Sequence, residues 1–125
     1  MQSGNNIYFN NGNVGIGTDS PQTKLAVNGE ISAKKLTITQ TGWADYVFDK
    51  NYKLLTPEQI EKYILANKHL PGMPSAKEIE NYGVSVGDNQ VLLLKKIEEL
   101  TLLMIKQNKK ILQLEKQVIN LKNKK

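Results

Sequence analysis

The chain has 125 residues and contains no cysteine and no arginine, with one histidine, one tryptophan and two phenylalanines. Without cysteine there is no disulfide, no thiolate nucleophile and no cysteine-based zinc site, and the redox compartment leaves no trace in the sequence. His69 is the single histidine, so neither a histidine pair for a metal nor the HExxH arrangement can be built. All 17 basic residues are lysine. The guanidinium that reads guanine edges and grips phosphate in two places is therefore missing. No run approaches the roughly 20 apolar residues of a membrane-spanning helix. The opening MQSGNNIYFNNG has neither the basic n-region nor the apolar h-region of a signal peptide. Large side chains are also few, with 39% hydrophobic residues and 6% aromatics. A core drawn from one copy would be small, which favours several copies sharing one.

What is present begins with Gly12-Asn13-Val14-Gly15-Ile16-Gly17-Thr18. A glycine-rich loop of this kind cradles phosphate when a helix opens behind it. GNVGIGT fits neither G-x-G-x-x-G nor the P-loop pattern, and Asp19-Ser20-Pro21 after it favours a turn rather than a helix. The stretch reads as glycine-punctuated β structure. Ile7-Tyr8-Phe9 is expected as a strand, Asn10-Asn11-Gly12 as a hairpin turn and Val14 to Gly17 as the next strand. Alternating apolar residues from Leu25 to Thr39, broken at Asn28-Gly29, read as strand, turn, strand. Strands this short bury little alone, so residues 1–41 are expected to intertwine with other copies of the chain.

Residues 42–84 read as a small module. Trp43, Tyr46 and Phe48 gather the only tryptophan and one of the two phenylalanines within six residues and are expected to anchor its core, with an exposed aromatic binding surface as the alternative. Thr56-Pro57-Glu58-Gln59 carries the capping-box signature with proline at the first helical position, predicting a helix to about Asn67. Two prolines in His69-Leu70-Pro71-Gly72-Met73-Pro74 end it. Ser75-Ala76-Lys77-Glu78 repeats the box and predicts a shorter helix closed at Gly83. The pair forms a helical hairpin.

Residues 85–125 contain no proline, and no glycine after Gly87. With a at Ile97, Met104, Ile111 and Val118, the d positions are Leu100, Gln107, Leu114 and Leu121. Only Gln107 among these eight is polar, a pattern that predicts a coiled coil on the order of 55 Å long whose role is association. Ile or Val at a with Leu at d favours two strands, whereas a second apolar row at Ile105, Leu112 and Ile119, with Leu103 at g, suits three, or a seam that also packs on something else. Gln107 reads as a buried amide that fixes register, with an axial ion site as the alternative.

Chemistry finds little to work with. Ser32 and Lys35 have the S-x-x-K spacing but fall in a strand pattern, where the lysine is not carried onto the serine. Glu78, Glu80, Glu98 and Glu99 read as helix caps and solvated faces. No catalytic residue, metal site or cofactor site is expected. The formal charge is +5, and seven lysines lie between Lys106 and Lys125 with Glu115 the only acid among them. Without arginine or interleaved aromatics this run reads as a solvated helix face, with a nucleic-acid surface as the competing class.

The order of motifs carries a resemblance. NGNVGIGTDSPQTKLAVNGEI resembles the GxVGIGTxxPxxKLxVxG segment near the C-termini of phage tail fibres and related surface fibres. Trp43, Asp45, Tyr46, Val47 and Phe48, the HLPGMPSAKE run from His69 to Glu78, and LLLKKIEELTLLMIKQN from Leu92 to Asn108 are similar to the C-terminal module of long fibre-like proteins of Bacteroidetes and their phages. The resemblance spans residues 12 to about 115. It implies a homotrimeric spike or fibre tip on the virion surface, or on a bacterial or extracellular surface. Its partners would be other copies of itself, a host-surface receptor such as a glycan, and a capsid or tail protein. In many phage fibres a C-terminal domain acts as an intramolecular chaperone, sometimes removed by a Ser–Lys autoprotease; this chain lacks the Ser-Asp and Arg-Leu-Lys pattern of that peptidase. It is far shorter than a usual fibre, so a fragment and a whole short spike both fit. The fold expected is α+β: an intertwined trimeric β segment, a small helical hairpin module, and a C-terminal parallel coiled coil. Binding without receptor recognition, as a pure trimerisation module, is the alternative function; neither nucleic acid nor membrane insertion is expected of the leading one.

Overall fold

The computed structural model describes residues 2–124 and is mixed α+β, with four short strands and three helices in that order among the described residues. It divides into two units, one up to Thr37 and one from Ile38 onward.

In the first unit, β1 (Gln2–Ser3) pairs antiparallel with β2 (Asn6–Ile7) across a two-residue turn. Gly4 sits in that turn at φ +61°, a conformation that glycine adopts without a Cβ penalty. β3 (Val14–Ile16) and β4 (Leu25–Val27) form a separate parallel pair in the register Val14↔Leu25 to Ile16↔Val27. The ladder extends at both ends, where Val14 N–H donates to Lys24 O and Asn28 N–H to Ile16 O, each at 2.9 Å. The glycines of GNVGIGT serve the crossover between these strands. A Cβ on Gly15 would stand 2.3 Å from the carbonyl oxygen of Thr18, and Gly17 lies at φ +70°. The crossover is tied down by Asn13 Nδ2 to Pro21 O at 2.9 Å and Asn28 Nδ2 to Gly17 O at 3.2 Å. The next helix begins only at Pro57, so no helix N-terminus stands behind the loop.

Two expectations for this unit are corrected. Ile7 pairs back with Gln2 and not forward with the Val14 strand, because a tight two-residue turn closes that pair and Val14–Ile16 is occupied by β4. Residues 31–39 form no strand. Within one chain nothing pairs with them, and Ile31 and Leu36 are exposed; an unpaired strand gains no ladder hydrogen bonds to offset its ordering.

The second unit holds α1 (Pro57–Asn67), α2 (Ala76–Tyr82) and α3 (Val86–Asn123). Both capping boxes form as the sequence predicts. Gln59 N–H donates to Thr56 Oγ1 at 3.2 Å and Thr56 N–H to Gln59 Oε1 at 2.9 Å. Ser75 N–H donates to Glu78 Oε2 at 2.7 Å and Glu78 N–H returns to Ser75 Oγ at 3.3 Å. The bonds its carboxylate accepts from Ser75 N–H and, at 2.7 Å, from the Ser75 hydroxyl hold the Glu78 carboxyl below its ordinary range. α1 ends on Lys68, which takes the left-handed conformation at φ 62°, and α2 on Gly83. The segments expected as 42–84 and 85–125 belong to one unit.

Residues 38–56 lie irregularly over the first half of α3. Gln40 Nε2 bonds the Asp88 carboxylate and Tyr52 Oη the Glu99 carboxylate. The segment comes close at Gly87, where a Cβ would overlap the end of the Gln40 side chain and crowd Ile38 Cγ2. The core expected at Trp43, Tyr46 and Phe48 lies instead at Ala44 and Val47, both fully buried, while Trp43 and Phe48 are more than half exposed. Small side chains win because a closely applied irregular segment leaves no depth for a ring beneath it. The rings stay at the rim, where Tyr46 lies 6.0 Å from Tyr52 and 5.7 Å under the Lys95 ammonium.

Candidate self-association surface

α3 starts at the Ser85 N-cap, whose hydroxyl accepts from Asp88 N–H at 3.3 Å, and runs 38 residues, about 57 Å at 1.5 Å per residue. Its first half is partly covered, in a selective way, by segments between Ile38 and Gly72. Between Val91 and Leu103 every residue is half-buried except Leu93, Ile97 and Leu100, and Gln90 and Met104 on either side are exposed as well. These five positions continue one a/d series. Leu100 is 62% and Met104 63% exposed, high values for large apolar side chains on a helix otherwise covered. From Met104 to Lys124 every residue is exposed, including Gln107, Ile111, Leu114, Val118 and Leu121. The second row of Ile105, Leu112 and Ile119 is open too. None of the lysines from Lys106 to Lys124 falls on a or d.

Every seam residue read from the sequence thus lies on one continuous open stripe. The stripe also extends back to Leu93 and Gln90, four and seven residues before Ile97; that spacing was legible in the sequence, with Gln90 weakening the signal. From Leu93 to Leu121 it is about 42 Å long, and a contiguous exposed apolar stripe marks an interaction site.

Beside the stripe, α1 forms a wall. Ile60, Ile64 and Leu65 on α1 face Ile97, Leu100, Met104 and Gln107 on α3 across an open, mainly apolar groove of about 750 Å³. A smaller cleft on the other side of Ile60 is lined by Leu54, Leu55, Leu70 and Pro71 with Lys96 and Leu103. The ionic contacts lie away from the stripe. Lys96 Nζ bonds Glu99 Oε2 at 2.8 Å, with both side chains largely covered. Burial raises the Glu99 carboxyl, but the hydrogen bonds from Lys96 and Tyr52 and the charges of Lys96 and Lys95 outweigh it and hold it below its ordinary range. Burial, then the bond to Glu99, pushes the Tyr52 phenol well above its usual value. Glu99 is therefore a docking residue and not the solvated carboxylate expected of it, and one oxygen of Glu98 is buried without a hydrogen-bond partner.

The remaining candidates gather no chemistry. Ser32 and Lys35 lie outside any helix or strand. His69 Nδ1 lies 3.1 Å from Leu70 O, with the ring edge-on to Tyr63 at 5.6 Å. Among the described residues no group of three or more metal-ligating side chains is brought together, and no helix is long and apolar enough to cross a membrane. No protein-family model, curated protein or solved structure matches the chain.

Proposed function

We propose that this chain is a structural and binding protein, a homotrimeric spike or fibre tip of the virion surface. It trimerises in parallel through the a/d stripe of α3 and attaches to a receptor on the host surface. One observation carries the association: between Val91 and Leu103 every residue of α3 is half-buried except those at a and d. A fold that buries a helix selectively leaves open what another molecule buries, and an apolar heptad stripe is complementary to its own copy. The extra apolar row at Ile105, Leu112 and Ile119 supports three strands over two. The resemblance to fibre modules supports the surface location and the attachment role.

Sedimentation of the full chain tests the first part, with a trimer expected and a monomer at all concentrations refuting it. Adsorption competition tests the second. Free trimer is expected to block attachment of the virus to its host; a trimer that leaves attachment unchanged selects a pure assembly module instead.

A further inference from the structure

The groove between α1 and the seam points to a second role for α1. We propose that α1 is part of the interface, a wall against which the α3 helix of a neighbouring copy lies, so that the groove is complete only when that neighbour is present. This rests on the reading that the chain self-associates through α3.

The placement of α1 carries the argument. The chain around α1 lies along the g flank of its own α3: Lys96 and Leu103, both g, line the cleft beside Ile60, and Lys110, the next g, lies close enough to Glu58 to help lower its carboxyl behind that group's own backbone N–H and Thr56. In a parallel coil, g faces the neighbour's e position five residues further on. Lys110 then meets Glu115, the only acid after Glu99, so the one available opposite-charge pair of this type selects the parallel, in-register arrangement. An α1 on the g flank must border the neighbour's e and b positions, and the neighbour's b residue at groove height is Ile105. This explains two otherwise unmatched features. Leu65 is 64% exposed on α1 although it lines an apolar groove, and Ile105 is apolar and open outside the a/d seam. The occupant is a second copy because the groove floor is the seam itself, at Ile97, Leu100, Met104 and Gln107.

Because the chain has no cysteine, Leu65→Cys introduces a single thiol at the wall. Its alkylation by iodoacetamide is expected to slow at least tenfold between dilute, dissociated protein and concentrated, assembled protein, whereas Tyr82→Cys, on α2 away from the groove, keeps one rate throughout. Leu65→Glu is expected to raise the association midpoint at least tenfold in sedimentation with helix content by circular dichroism unchanged, while Tyr82→Glu associates as the parent does. Leu114→Glu, in the seam, reports on the underlying reading. If it dissociates the protein while Leu65→Glu does not and the thiol at 65 reacts equally fast in both states, α1 lies outside the interface and the inference fails alone. A parent chain that is monomeric throughout overturns both.

Discussion

Truncating Leu100 to alanine separates the stability of the single chain from that of the assembly. A leucine buried in a core loses about 2–5 kcal/mol on truncation. Leu100 is 62% exposed in the single chain, so less than half of that loss, about 1 kcal/mol, falls on the isolated fold. In the proposed trimer the rest, about 1.5–2 kcal/mol per chain, would be realised only when the seam closes, and three chains contributing one Leu100 each would give about 5 kcal/mol per trimer. That corresponds to more than three decades in the trimer dissociation constant. Because this constant scales with the square of protein concentration, the association midpoint moves roughly 50- to 100-fold. Sedimentation equilibrium over a dilution series measures the midpoint, and melting curves at low concentration measure the remaining monomer effect. Tyr82→Ala, a larger truncation at a site 87% exposed and off the stripe, is the control and should move neither. A midpoint unchanged by Leu100→Ala, or equal effects on monomer and assembly, would refute the reasoning.

Other substitutions follow from local geometry. Lys68 carries φ 62° at the end of α1, so Lys68→Gly should stabilise the second unit by about 0.5–1 kcal/mol in urea unfolding. Thr56→Ala removes the acceptor for Gln59 N–H and should destabilise it by about 1 kcal/mol. Gly15→Ala places a methyl against Thr18 O and should destabilise the β3–β4 crossover by about 1–3 kcal/mol, read as faster proteolysis within residues 17–24. The Tyr52–Glu99 contact sets a pH window for the segment over α3. Glu99 is lowered in the fold, so its contribution is present above the ordinary carboxylate value and is lost as pH falls through the folded value. Tyr52 is raised, so its contribution is present below the ordinary phenol value and is lost as pH rises beyond it. Near-ultraviolet circular dichroism should report both edges, and Tyr52→Phe should abolish the alkaline one and move the acid one to higher pH.

The sequence by itself determined what depends on neighbours along the chain. Thr56 and Ser75 with their partners three residues on fixed two helix starts, Gly83 fixed a stop, and the spacing from Ile97 to Leu121 placed eight side chains on one stripe. These are interactions within one or two turns, and their geometry follows from the helix repeat. Tertiary structure decided what depends on which segments meet. Whether Val14 pairs with Ile7 or with Leu25, whether residues 31–39 find a strand to pair with, and whether Trp43 or Val47 goes inside are contests between distant segments. Nothing in a local pattern ranks them: alternation says that a strand has two faces, but only the approaching chain determines which is covered. The same holds for the candidate self-association surface. Heptad spacing identified an apolar stripe, but only the packing of the preceding segment on the first half of α3 showed that the other positions between Val91 and Leu103 are half-buried while this stripe stays open.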